Sequence, residues 1–267
     1  MTRELRVAAT SPEIHLGEVV GNFARIRTAL ERAVQEGAQL IVLPELATSG
    51  YVFADRDEAA AAAVPRDHAG WADLASALPA GTVAVVGYAE RDDAGLFNSA
   101  AVLTNDRRIG DYRKSHLWGA EAVLFERGPR AGAIFDTPLG RLAVAICYDN
   151  EFPEVPRRLA LGGADLLALP VNWPLVPRPE GERAPETIQA MAAARSSRLA
   201  TVISDRRGAE RGVEWTGGTA VIDEDGWVAA SADDRGSAVA TLRLRAPGDK
   251  TLPPHNDLFA DRRPDLY

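Results

Sequence analysis

Cys147 is the only cysteine among 267 residues. It directly follows the apolar run Leu142-Ala143-Val144-Ala145-Ile146 and precedes the polar Tyr148-Asp149-Asn150-Glu151. A thiol at a strand end, just before a turn, has the geometry of an exposed nucleophile. A free cysteine can equally serve as a small buried hydrophobe, and position alone leaves both readings open. Glu45 has a matching setting: it follows Leu40-Ile41-Val42-Leu43-Pro44. Residues just past strand C-termini line the crevice of an α/β sheet. A carboxylate there loses solvent, its pKa rises, and it suits a general base; otherwise it is a solvated loop glutamate. Lys114 sits in Tyr112-Arg113-Lys114-Ser115-His116-Leu117-Trp118, where a surface charge is the plain alternative to a site cation. The four histidines, His15, His68, His116 and His255, show no His-x-x-x-His spacing, so no metal site is indicated. Neither a Gly-x-Gly-x-x-Gly nor a Walker-type Gly-Lys-Ser/Thr sequence is present, so nucleotide binding is unsupported.

These residues need elements to hold them. A first strand is expected at 5–9. A helix capped by Asn22 follows, with Ile26, Leu30, Ala33 and Val34 at helical spacing and Gly37 at its end. Leu40 to Leu43 then reads as a buried strand, and strand–helix–strand order implies a sheet covered by helices. The alanine-rich stretch 56–77 is expected to be helical and 83–87 a strand. Residues 98–103 form one arm of a hairpin turning at 105–108. A second pass begins at the strand 142–146, followed by a helix over 153–162. Gly163-Ala164-Asp165-Leu166-Leu167-Ala168-Leu169-Pro170 mirrors Gly37-Ala38-Gln39-Leu40-Ile41-Val42-Leu43-Pro44. After each come a helix, a strand and a hairpin with a polar turn; in the second pass these are the strand 200–204 and the turn Asp223-Glu224-Asp225-Gly226. The pattern is that of an internal duplication, two similar α/β halves. The Pro-rich piece 172–185 is a long loop of the kind that often carries function.

Composition excludes several classes. With 30 Lys and Arg against 38 Asp and Glu the net charge is −8, which argues against nucleic acid as a partner. No stretch of 18 consecutive apolar residues predicts a membrane span. One cysteine cannot form an internal disulfide or a multi-cysteine zinc site. The N-terminal residues lack an apolar signal-peptide core, so a cytoplasmic location is expected.

Three neighbourhoods together resemble the nitrilase superfamily, also called carbon–nitrogen hydrolases. Leu43-Pro44-Glu45 with Ser49-Gly50-Tyr51 is similar to the family's catalytic-glutamate motif. Tyr112-Arg113-Lys114-Ser115-His116-Leu117 is similar to its lysine motif, and Ala145-Ile146-Cys147-Tyr148-Asp149 with Glu151-Phe152-Pro153 to its nucleophile motif. Their order and spacing match, and the likeness runs across nearly the whole chain. It implies a single domain over residues 1–267 with the α/β fold of a four-layer α-β-β-α sandwich. It implies a catalytic set of Glu45, Lys114 and Cys147, with Glu121 as a second glutamate. No metal or organic cofactor is required. Residues 246–267 resemble the extended tail that packs on a neighbouring subunit, which implies a homodimer or larger assembly.

The implied chemistry is attack of the Cys147 thiolate, stabilised by Lys114, on a small amide. Glu45 is the base, Lys114 and the backbone N–H of Tyr148 are the oxyanion donors, and a thioester forms. Nitrilases proper commonly carry Trp-Glu after the nucleophile; here Tyr148-Asp149 resembles the amidase and carbamoylase side. The alternatives are an N-carbamoyl amine or amino-acid hydrolase, a nitrilase, and a catalytically silent interaction protein on the same fold. Substrate-binding candidates are Tyr51, Tyr148, Glu151, Asn172 and Trp173; the aromatics could equally fill core, and Glu151 could cap a helix. Arg178 and Arg183 could clamp a carboxylate-bearing substrate. One departure is Ala194-Arg195-Ser196-Ser197-Arg198-Leu199 where many members have Ala-Arg-Ala-x-Glu-Asn.

Overall fold

The computed structural model describes residues 2–246 and 248–266. Two six-stranded mixed sheets face each other. The first contains β1 (Arg3–Thr10), β2 (Leu40–Val42), β3 (Val83–Asp92), β4 (Gly95–Leu103) and β5 (Arg108–Arg113). The second contains β6 (Ala133–Thr137), β7 (Gly140–Val144), β8 (Leu166–Val171), β9 (Ala200–Asp205), β10 (Ala220–Ile222) and β11 (Val228–Ser231). The chain then returns to the first sheet as β12 (Ser237–Leu244), antiparallel to β1.

The strand orders are β12-β1-β2-β3-β4-β5 and β6-β7-β8-β9-β10-β11. In each, two parallel pairings sit between antiparallel ones. The expected duplication is therefore present strand for strand. Alternation explains the layering. Val7, Leu40, Val42, Val83 and Val85 join one core cluster with residues of the second sheet. Their neighbours Ala8, Ile41, Ala84 and Val86 pack outward under α1 (Val19–Gln35) and α3 (Gly70–Ser76). On the other side Leu159 of α5 (Glu154–Leu161) and Ala190 and Ala194 of α6 (Pro185–Ser197) cover the second sheet. The order is helix, sheet, sheet, helix.

Two local expectations change. Asn22 does not cap α1, which starts at Val19; it is buried inside the helix and holds the backbone N–H and carbonyl of His15 and the carbonyl of Thr48. The stretch 56–77 is two helices, α2 (Arg56–Ala62) and α3, because Val64 bridges to Glu90 in extended form ahead of Pro65.

Candidate active site

The parallel strands β2 and β7 aim their C-terminal ends at the same place, and the residues just beyond them meet there. Glu45 is fully buried. Its backbone lies so close to β3 that a Cβ at Gly87 would collide with the Pro44 carbonyl oxygen and stand 2.6 Å from Glu45 Cα. Lys114, just past β5, is also fully buried, and its backbone N–H donates to the Asn98 carbonyl at 2.8 Å. Glu121 opens the short helix α4 (Glu121–Leu124). Lys114 Nζ donates to Glu45 Oε1 at 2.7 Å and to both oxygens of Glu121 at 2.8 Å. Asn98 Nδ2 donates to Glu45 Oε1 at 2.7 Å and Glu121 Oε1 at 3.2 Å. The other oxygen of Glu45, Oε2, is buried and has no hydrogen-bond partner.

Cys147 follows β7 as the first residue of a 3-10 turn, Cys147–Glu151, with φ +47°. A left-handed non-glycine residue is strained and persists only where its surroundings enforce it. Asp149 is the enforcer here. Its buried carboxylate accepts from the backbone N–H of Ile146 (3.0 Å), from Tyr112 Oη (2.7 Å), from Ser115 Oγ (3.0 Å) and from the backbone N–H of His116 (3.2 Å). That ties the cysteine turn to the segment that carries Lys114.

Burial and the Lys114 charge act on the thiol in opposite directions. Burial and the charge of Glu45 push the Cys147 thiol well above its ordinary value, against a smaller opposing pull from Lys114. The cation is shared with two carboxylates, and its pull on the thiol is smaller than the opposing effects of burial and Glu45. The same carboxylates keep Lys114 protonated, with its own pKa well above the ordinary one despite burial. Burial raises Glu45 to about 7 against the pull of Lys114.

Beside Cys147 lies a cavity of about 190 Å³. Of the substrate-binding candidates, Tyr148, Glu151, Asn172 and Trp173 line it, and so do Trp118 and Glu186, which the sequence did not single out. The Pro-rich loop contributes Pro174 and Val176; it is folded back by Leu175 N–H donating to the Glu214 carbonyl. Asn172 Nδ2 donates to the Glu45 carbonyl at 2.9 Å. Tyr51 is not among the lining residues. It packs edge-on against Trp215, and its hydroxyl feels Glu121 and Glu45, which together with burial raise it. Arg178 and Arg183 line a different cavity, with Thr216 and Ser231, so they offer no clamp beside Cys147. Among the described residues, no group of three or more His, Cys, Asp or Glu side chains could hold a metal ion, and no helix is long and apolar enough to cross a membrane.

Asn98, Asp149 and Asp205 were not expected from the sequence. Asp205, the last residue of β9, is fully buried and accepts from the backbone N–H groups of Trp173 (2.9 Å) and Gly218 (2.6 Å). The available signal was a polar residue at each place where an apolar strand run begins or ends.

The carbon–nitrogen hydrolase family profile matches residues 6–246. A protein named nitrilase from Pyrococcus abyssi is 35% identical over 252 residues, covering 92% of each chain. An N-carbamoylputrescine amidase from Arabidopsis thaliana is 28% identical over 269 residues, covering 94% of this chain and 90% of its own. Among solved structures, an amidase from Nesterenkonia sp. superposes with a TM-score of 0.78 at 23% identity, covering 98% of this chain and 94% of that one. Together with the two-sheet sandwich, these matches make the chain a member of the carbon–nitrogen hydrolase family, within the nitrilase superfamily.

Proposed function

We propose that the chain is a cysteine-dependent amidase that hydrolyses small aliphatic amides to a carboxylic acid and ammonia. The observation that carries this reading is Glu45 Oε2, a buried carboxylate oxygen left without a partner in a cluster that acts on the only cysteine. It is free to accept one proton.

The thiol is neutral at rest. As Cys147 Sγ bonds to the amide carbonyl carbon, its proton passes to Glu45 Oε2 and the carbonyl π electrons move to oxygen. Proton transfer from a raised thiol to a carboxylate near 7 is uphill by itself, so it accompanies C–S bond formation. The oxyanion needs donors placed where charge develops. Lys114 and the backbone N–H of Tyr148 fill that role; Lys114 must release one of its carboxylate bonds, and Glu121, which accepts two, can spare one. Collapse of the adduct breaks the C–N bond, and Glu45 gives its proton to the departing nitrogen. Water then attacks the thioester, its proton going to Glu45, and collapse returns the proton to sulfur. Glu121 orients Lys114 and the substrate.

The cavity of about 190 Å³ fits a small substrate. Tyr148, Glu151, Asn172 and Trp173 contact it, and Tyr51 shapes the Glu45–Glu121 side. A cytoplasmic enzyme with two or more subunits completes the proposal. The first part of the tail is held by its own chain: Lys250 Nζ donates to the Arg198 carbonyl, and Phe259 packs on the core between Arg157 and Lys250. The contact with a partner is therefore assigned to the residues beyond Phe259, where Leu266 is 69% exposed.

The test is ammonia release from short aliphatic amides, N-carbamoyl amines and nitriles, comparing wild type with Cys147→Ala. Release from amides, lost in the variant, is expected. Turnover of nitriles alone would reject the amidase branch. Turnover of none would favour the silent binding protein.

A further inference from the structure

The cavity beside Cys147 is lined by two carboxyl side chains and by no lysine, arginine or histidine. Glu151 comes from the end of the cysteine turn and Glu186 from the first turn of α6. Glu186 Oε2 is buried without a hydrogen-bond partner. Burial and the charge of Glu186 raise Glu151, and no cation acts against them. The rest of the wall is aromatic, with Trp118, Tyr148 and Trp173. Aromatic faces and carboxylates together form the surroundings that attract an organic ammonium ion. Two anions near an apolar wall repel a substrate carboxylate for the same reason. Arg178 and Arg183, the loop cations able to reverse this balance, line the other cavity.

We infer that the substrate carries a cationic amine at the end remote from the scissile bond, held by Glu151 and Glu186 between the aromatic side chains. The inference rests on the amidase reading and narrows it to amino-substituted amides or N-carbamoyl diamines. The reacting carbonyl meets Cys147, an aliphatic stem lies along Trp173 and Tyr148, and the ammonium ion replaces the missing partner of Glu186 Oε2. Glu151 and Glu186 thus set specificity, and neither takes part in bond breaking.

The experiment compares hexanamide, its isostere with a terminal ammonium in place of the methyl group, and the analogue ending in carboxylate. Matching N-carbamoyl alkylamines form a second series. In wild type, kcat/KM for the ammonium compound should exceed that for the neutral one by about tenfold or more, the equivalent of about 1.4 kcal/mol, with the carboxylate lowest. In Glu186→Gln and Glu151→Gln the ammonium-to-neutral ratio should fall, and in the double variant it should approach unity. A ratio taken within one preparation does not depend on how much of a variant is folded. Equal or better turnover of the neutral compound by wild type would overturn the inference and leave the amidase reading standing. So would a preference that survives both substitutions. Failure of every amide and carbamoyl compound would instead remove the amidase reading, and this inference with it.

Discussion

Lys114 Nζ has three protons and gives all of them to Glu45 and Glu121, so the cluster holds two carboxylates against one ammonium ion. Its charge balance governs the pH response. Glu45 must be ionised to take the thiol proton, and its pKa stands at about 7. On this reading kcat/KM for an amide should fall as pH drops through about 7, approaching tenfold per unit, and should rise to a plateau above it. A profile that stays flat down to roughly pH 5 would show that Glu45 is not the base. The same balance makes a less obvious prediction for Glu45→Gln. The Glu45 charge raises Cys147 while Lys114 lowers it. Removing the carboxylate should disable hydrolysis and yet speed alkylation by iodoacetamide near neutral pH, about tenfold for each unit the thiol falls. Slower alkylation in the variant would refute the assignment. Glu45, Lys114 and Cys147 were legible because each is a reactive type placed at the exit of an apolar strand. Asn98 was not, because an asparagine entering a strand reads as an edge residue until β4 is seen to lie beside Glu45. The setting of the thiol was only partly legible for a related reason: sequence shows a lysine, but not that two glutamates already hold it.

Strand ends explain why the site is where it is, and also where it depends on residues that do no chemistry. β2 delivers Glu45, β7 delivers Cys147, β8 delivers Asn172 and Trp173, and β9 delivers Asp205 behind them. Asp205 fixes the exit of β8 by accepting from Trp173, and it holds Gly218 close: a Cβ there would meet the Trp173 ring at 3.0 Å. Burial raises Asp205 from 3.8 to about 7. A group raised on folding stabilises fully below its unfolded value, and that contribution is lost as pH rises through the folded one. Asp205→Asn stays neutral throughout, so the melting temperature of wild type relative to this variant should fall as pH is raised from the ordinary carboxylate range through about 7. An asparagine has one acceptor oxygen and must face one N–H with its own amide, so kcat should fall roughly 10–100-fold through displacement of Trp173. Wild-type kcat and a pH-independent melting difference would refute both parts. At this scale the strands were readable from apolar runs, and the lining of the cavity by the Pro-rich loop fits its expected role. The stretch 56–77 misled because alanine content speaks for helix without saying where it stops. Val64 pairs with Glu90 and Pro65 follows, and that pairing is a long-range fact.

The two halves were visible in the paired Gly-Ala-x-Leu and Leu-Pro segments, but not how they are joined. Repetition predicts two equivalent sheets, whereas the chain closes the first with β12, drawn from beyond the end of the second. The equivalent edge position in the second sheet is filled by β6, which precedes its own half. The first sheet is therefore complete only when nearly all of the chain is in place, whereas the second draws its six strands from residues 133–231. The shared core adds to this, since Leu5 and Leu242, paired across β1 and β12, belong to the same cluster as Leu166 and Val202. The active site spans the joint, with Glu45 and Lys114 on one side and Cys147 and Asn172 on the other. The two halves should accordingly unfold together. Leu242→Ala removes a side chain only 3% exposed, which typically costs about 2–5 kcal/mol, or roughly 5–15 °C in a chain of this size. Scanning calorimetry should show one transition moved down by that amount, with its calorimetric and van't Hoff enthalpies in agreement. Hydrogen exchange at β2 and β8, in different sheets, should quicken by the same factor. If the substitution instead splits the melt, leaving β8 protected while β1 and β2 exchange, then the second sheet holds its fold alone and the shared core does not couple the halves.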